Sequence, residues 1–338
     1  MDSTLSQYLS VQPSLENRWR AVILFGRNSA SYKFALAHAM LDLQARANDL
    51  ITLEELAVPF TKHVCRHLAM SPRQGTGTTS KFLESCQNQL EGTIEQSALY
   101  DVTVQSGFVN VIDAFHTLGG PQSDVRFFVD ERRTHKGIRI TEAFQQLTTD
   151  ALATELLQEV EARWRLVETA WNLRLAAPLI EHDVQSGRMV TGHGVRRIDV
   201  TSSRDALNGY QKSHCFYCAQ PISITSTDIN LSHVDHFIPF MLSVKLNVNL
   251  NGVWNLVLAC RQCNLQKSDL IPASEFVNRL YQRNEFFIVS HHPLKETLMA
   301  QTGQSSQSRA KFIGSWYSQA KQQRVATWEP KEQGKPIL

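Results

Sequence analysis

Four of the six cysteines fall into two C-x-x-C pairs, Cys215/Cys218 and Cys260/Cys263. A two-residue gap lets both sulfurs of a pair reach one ion from a tight turn. Two such pairs complete a tetrahedral thiolate shell, which suits zinc. Four thiolates leave no position open for water, so the expected ion is structural. A redox dithiol and an iron–sulfur cluster are the alternatives. The 41 residues between the pairs must form a unit of their own between two pinned ends. In and just beyond that unit lie His233, Asp235, His236, Asn255, Asn264 and Lys267. The apolar Val234 between polar His233 and Asp235 suits a strand leading into a loop. Leu256–Ala259 is apolar and reads as a second strand, and a helix follows from Arg261, with Asn264 and Lys267 three apart on one face. A strand–loop–strand–helix order brings Asp235, His236 and Asn264 together. Alone, an Asp-His pair carries little information, and Asn often caps helices. Nested in the cysteine frame, the set reads as an active site.

The elements D-H-x-x-P, W-N-L and C-x-x-C-N-x-x-K, in that order, resemble the HNH (ββα-metal) endonucleases, in particular their branch pinned by four cysteines. The resemblance covers residues 210–275. It extends to the HNH domain of RNA-guided DNA nucleases around V-D-H and N-x-x-K-S-D. Asn264 stands at a signature position that other members fill with His, and the Met241–Gly252 loop is long. The resemblance implies metal-dependent hydrolysis of DNA phosphodiesters. Asp235 and Asn264 would offer hard oxygen ligands to one Mg2+ or Mn2+. His236, neutral near pH 7, would take a proton from the attacking water. Asn255 would hold the loop that aims His236, and Lys267 would contact phosphate. His233 is either a further ligand or phosphate contact or a structural residue. Arg261 is either a backbone contact or an ordinary surface charge.

The elements around this segment are less explicit. The fold class expected is α+β: a mainly helical domain over residues 1–195, an HNH domain over 196–290, and a helical extension and tail over 291–338. The first 20 residues read as loosely ordered, and AVILFG (21–26) as a strand or a helix start. Helices are expected from Tyr32 to Leu43, Leu53 to Met70 and Lys81 to Leu90. Residues 125–130 (VRFFVD) read as a strand. Leu152, Leu156, Val160, Trp164, Val167, Trp171 and Leu175 recur at helical steps over 150–177, with Pro178 at the end. Gly187, Gly192 and Gly194 mark the expected boundary, followed by a strand at Arg196–Val200 and a helix at Arg204–Lys212. His63 and His67, four apart, lack the H-E-x-x-H context of a metal site and read as core or solvated histidines. Cys65 and Cys86 read as buried small hydrophobes.

Apolar residues make up 42% and charged residues 20% of the 338, an ordinary globular balance that excludes long disorder. No apolar run of about 18 residues occurs, so no membrane span is expected. The N-terminal segment lacks a secretory pattern, so a cytoplasmic location is expected, and metal is expected over disulfides. Residues 1–195 carry 18 Lys+Arg against 22 Asp+Glu, a net −4, while 196–338 carry 16 against 10, a net +6. The basic half suits an anionic partner, DNA. The acidic half suits a protein partner, such as an ATPase or another subunit of a bacterial defence system. A modification-dependent restriction enzyme and a zinc-stabilised nucleic-acid binder that does not cut are the competing readings. The segment after Gly303, with Phe312, Ile313, Trp316 and Tyr317, reads as a docking helix.

Overall fold

The computed structural model describes residues 9–10, 14–25, 30–75, 80–118, 123–148, 151–172, 181–183, 185–186, 188–191, 198–290, 292, 294–323, 326–331 and 334. The chain divides into two compact units, the first made mainly of Pro13–Asn172 and the second of Leu173–Leu338 with Asp2–Gln12. Leu175, Pro178, Gly187, Gly192 and Gly194 lie outside the described residues.

The first unit contains α1 (Leu15–Phe25), α2 (Tyr32–Leu43), β1 (Leu50–Thr52), α3 (Leu53–Met70), α4 (Lys81–Leu90), α5 (Gln96–Val102), α6 (Val111–Ala114), β2 (Phe128–Asp130), α7 (Arg132–His135), β3 (Gly137–Ile140), α8 (Glu142–Leu147) and α9 (Ala151–Asn172). The run Ala21–Phe25 is helical, and its helix begins at Leu15, inside the segment expected to be loose. α3 begins at a capping box. Thr52 Oγ1 accepts from the Glu55 N–H, and Glu55 Oε2 accepts from the Thr52 N–H. This satisfies donors that a helix start leaves open.

Strand β2 is shorter than expected. Phe127 donates its N–H to His116 Nε2 at 3.0 Å, and Val125 donates to Ser123 Oγ. The Phe127 N–H is thereby diverted from the sheet although its carbonyl still accepts from Thr141 N–H, and the regular β1–β3–β2 pairing begins at Phe128. On α9, Leu156, Val160, Trp164 and Val167 are buried, as their spacing implies. The same helix also buries Glu159, Arg163 and Glu168. Glu159 accepts a bidentate pair from Arg20 of α1. His67 lies between Glu168 (Nδ1–Oε1 2.7 Å) and Glu161 (Nε2–Oε2 3.1 Å), its ring stacked on Trp164. His63 bonds Asp42 at 2.7 Å. Both histidines are therefore core groups with carboxylate partners.

The second unit contains β4 (Glu181–Asp183), β5 (Arg188–Thr191), β6 (Ile198–Ser202), α10 (Ser203–Gln211), β7 (His233–His236), a 3₁₀ turn (Phe240–Leu242), α11 (Ser243–Leu246), a second 3₁₀ turn (Val253–Asn255), β8 (Leu256–Ala259), α12 (Arg261–Lys267), β9 (Ile271–Pro272), α13 (Glu275–Val289), α14 (Lys295–Thr302), α15 (Ser306–Gln323) and β10 (Thr327–Trp328). β4, β5 and β6 form an antiparallel sheet. β7 and β8 pair antiparallel, with His233 opposite Ala259 and His236 opposite Leu256. The expected strand–loop–strand–helix order is thus present as β7, β8 and α12, and the class is α+β. Of the last helices, α15 packs within this unit. Its Arg309 pairs with Glu285 of α13, and its Tyr317 OH donates to Pro272 O. No helix of the described residues is long and apolar enough to cross a membrane.

Candidate metal centre and active site

The first cysteine pair sits on a tight turn. Cys215 N–H donates to Gln220 O, Ala219 N–H returns to Cys215 O, and Ala219 takes a left-handed φ of 59°. Phe216 N–H donates to Leu258 O, which ties this turn to β8. β8 runs directly into the second pair, where Cys260 caps α12 and its Sγ accepts from the Cys263 N–H. Gln211 of α10 braces the junction. Its amide oxygen accepts from Leu258 N–H, and its Nε2 donates to Leu258 O and His214 O. Arg279 of α13 donates to Phe216 O and Tyr217 O. The four Sγ atoms lie within 4.8 Å of one another. A tetrahedral Zn–S shell of about 2.3 Å bonds places sulfurs about 3.8 Å apart, and Cys218 and Cys260 stand at 3.8 Å. The donor set is placed to hold one metal ion and fits zinc. Among the described residues it is the only group of three or more His, Cys, Asp or Glu so placed.

The inner residues are organised by one buried ion pair. Asp235 faces inward on β7. Its Oδ1 accepts from Lys267 Nζ at 3.0 Å and its Oδ2 from Tyr217 OH at 2.6 Å. Lys267 also donates to His236 O at 2.7 Å, and its side chain is fully buried. The phosphate contact expected of Lys267 would compete with these two bonds. The ammonium is spent inside the protein, clamping α12 to the end of β7. Tyr217 escaped sequence analysis because it reads as filler between two cysteines. Burial and the Asp235 charge hold its phenol well above the usual range, so it stays a donor.

Asn264 lies one turn before Lys267 on α12, half-buried. His236 ends β7, half-buried, with Nε2 2.9 Å from Asn251 Oδ1. Burial lowers its pKa against the opposing pull of Asn251 and Asp235. Asn251, in the long loop, is a second residue the sequence did not flag. Asn255 is fully buried. Its Oδ1 accepts from Ile238 N–H at 2.8 Å, and its Nδ2 donates to Ile238 O and Leu250 O at 2.9 and 3.0 Å. It thereby closes the loop that follows His236. Arg283 and Asn284 of α13 donate to carbonyls of the second 3₁₀ turn. His233 lies on the same strand face as Asp235, its pKa lowered by burial and by Arg204 and Arg261. Arg261 is exposed.

The catalytic divalent ion expected at Asp235 and Asn264 would have to share Asp235 with Lys267 and Tyr217. A carboxylate oxygen has two lone pairs, and each Asp235 oxygen has one protein donor among the bonds described above. The remaining lone pairs of Asp235 are the hard-oxygen donors that such an ion would use.

The geometry is that of a metal-pinned β-hairpin and helix carrying an Asp-His pair at the strand end. Residues 215–270 match the family model for HNH endonuclease, and this stretch is an HNH endonuclease domain. No curated protein and no solved structure matches the chain.

Proposed function

We propose that the chain is a metal-dependent endonuclease that hydrolyses DNA phosphodiesters, with zinc at the four cysteines and Mg2+ or Mn2+ at Asp235 and Asn264. The observation that supports this reading most is the Lys267 clamp, which draws α12 onto the end of β7 beside both Asp235 and His236. Asn251 Oδ1 lies 2.9 Å from Nε2 and orients the His236 ring. The neutral His236 imidazole takes the proton of the attacking water. The divalent ion supplies charge neutralisation at the scissile phosphate and at the leaving oxygen. Asn255 keeps the His236 loop in place, and Tyr217 and Lys267 hold the Asp235 carboxylate. Arg261, exposed at the start of α12, contacts the nucleic-acid backbone, and His233 supports the strand beside Asp235.

The acidic balance of residues 1–195 supports a protein partner for that part, as in a multi-subunit defence system against foreign DNA. The domain reading of 1–195, 196–290 and 291–338 assigns these roles to partner contact, cleavage and support. The test is incubation of plasmid DNA with Mg2+ or Mn2+. Nicked or linear product is expected from the wild type and none from His236→Ala, with zinc content equal in both. Full cleavage by His236→Ala removes the general-base assignment. Binding by the wild type without cleavage favours the non-cutting binder.

A further inference from the structure

The segment after His236 is apolar on two faces. Leu242 and Leu246 are buried and anchor it, while Phe240, Met241 and Val244 point outward, 46%, 56% and 91% exposed. Over the 3₁₀ turn and α11, Val244 lies three and four positions beyond Met241 and Phe240, the spacings at which helical side chains neighbour each other, so Val244 links the two into one stripe. Contiguous exposed apolar groups mark contact sites. This stripe begins at the active site, because the Phe240 ring lies 5.5 Å from the His236 ring. Its base is rigid. Asn255 bonds both ends of the loop, at Ile238 and Leu250, and Leu250 is fully buried. The chain segment that carries the stripe, residues 237–255, has no acidic residue and includes the exposed Lys245. From Ile229 to Ser268 the only acidic residue is Asp235, which is paired inside, whereas Lys245 and Arg261 are basic.

We propose that Phe240, Met241 and Val244 form a wedge that enters the DNA duplex at the step being cut and unstacks its bases. The proposal rests on the nuclease reading and adds how the site opens its substrate. An apolar side chain inserted between base pairs gains the burial that water denies it, and the opened step bends the backbone toward the protein. The occupant is DNA rather than another protein because the stripe starts beside the proposed general base and its own segment carries Lys245 and no carboxylate.

The experiment uses the full chain carrying His236→Ala, bound to a thymine-rich duplex and probed with permanganate, which oxidises unstacked thymines. Raised thymine reactivity is expected. It should return to the level of free DNA when Phe240→Ser, Met241→Ser and Val244→Ser are added. Val244→Arg alone should do the same, and at a position this exposed it leaves folding intact. In cleavage by otherwise wild-type protein, the triple variant should lose about tenfold or more on linear duplex and much less on single-stranded DNA. Unchanged thymine reactivity on binding, or equal reactivity with and without the wedge residues, overturns the proposal. So does a wild-type oligomer that the triple variant dissociates, since the stripe would then contact a second copy. DNA opened but never cut keeps the wedge and removes the nuclease reading. DNA cut without opening does the reverse.

Discussion

Lys267→Met separates a buried clamp from a phosphate contact. In the structure the ammonium is fully buried, 3.0 Å from Asp235 Oδ1 and 2.7 Å from His236 O. Methionine keeps the stem and removes both bonds. Asp235 then remains as a buried charge with Tyr217 as its one remaining partner among these contacts. Removing one member of a buried pair costs about 3–5 kcal/mol, more than the pair itself is worth, because the other charge stays desolvated. Adding Asp235→Asn neutralises that charge, so the double variant should be more stable than Lys267→Met alone. The assay is urea unfolding of the full chain, with hydrogen exchange reporting on β7, β8 and α12. DNA affinity is measured in parallel as a function of salt. A clamp predicts a large loss of protection around β7 and an unchanged salt slope. A phosphate contact predicts stability within about 0.5 kcal/mol and a slope reduced by about 1. The second pattern would refute the reasoning.

Other consequences follow from the same geometry. Chelation or Cys260→Ser should unfold the second unit while the first keeps its exchange protection, because binding free energy at a structural zinc site is folding free energy. Zinc analysis should give one ion per chain. Asn255→Ala strands one N–H and two carbonyls, at about 1–3 kcal/mol per buried group. Cleavage should fall with it while zinc content holds, as a paired denaturation and activity assay would read. His236 has a lowered pKa. The base form must therefore persist below the ordinary histidine value of about 6.5, and the acid limb of the rate profile should lie under it. His38 and His116 are buried, with pKa values pushed down to about 3. The unfolded chain binds these protons first as pH falls, so stability is full above about pH 6.5 and lost below it. At about pH 5 each histidine costs about 2 kcal/mol. Melting of the first unit between neutral pH and pH 5 reads this loss, and a melting point independent of pH would contradict it.

What the sequence makes visible is what local spacing encodes. The cysteine pairs, strands β7 and β8 and the start of α12 each follow from a period or a fixed gap. The long run on α9 and the span of α3 are visible for the same reason. Partner choice across space is not encoded that way. Lys267 reads as a surface cation on a helix face until Asp235, 32 residues earlier, is seen to receive it. Tyr217 and Asn251 become meaningful only when the fold brings them to Asp235 and His236. The Phe127 N–H is diverted by His116, a side-chain competitor that no strand propensity contains. The histidines of α3 likewise acquire Glu161, Glu168 and Asp42 only through packing.

The central claim is that a sulfur-locked hairpin and helix present His236 and a separate hard-ion site to one phosphate. The most direct measurement is a crystal structure of His236→Ala with DNA and Mn2+, with anomalous scattering recorded at the zinc and manganese edges. The account predicts zinc among Cys215, Cys218, Cys260 and Cys263, and manganese between Asp235 and Asn264 against a phosphate oxygen. Manganese bound elsewhere, or a phosphate far from residue 236, would contradict it.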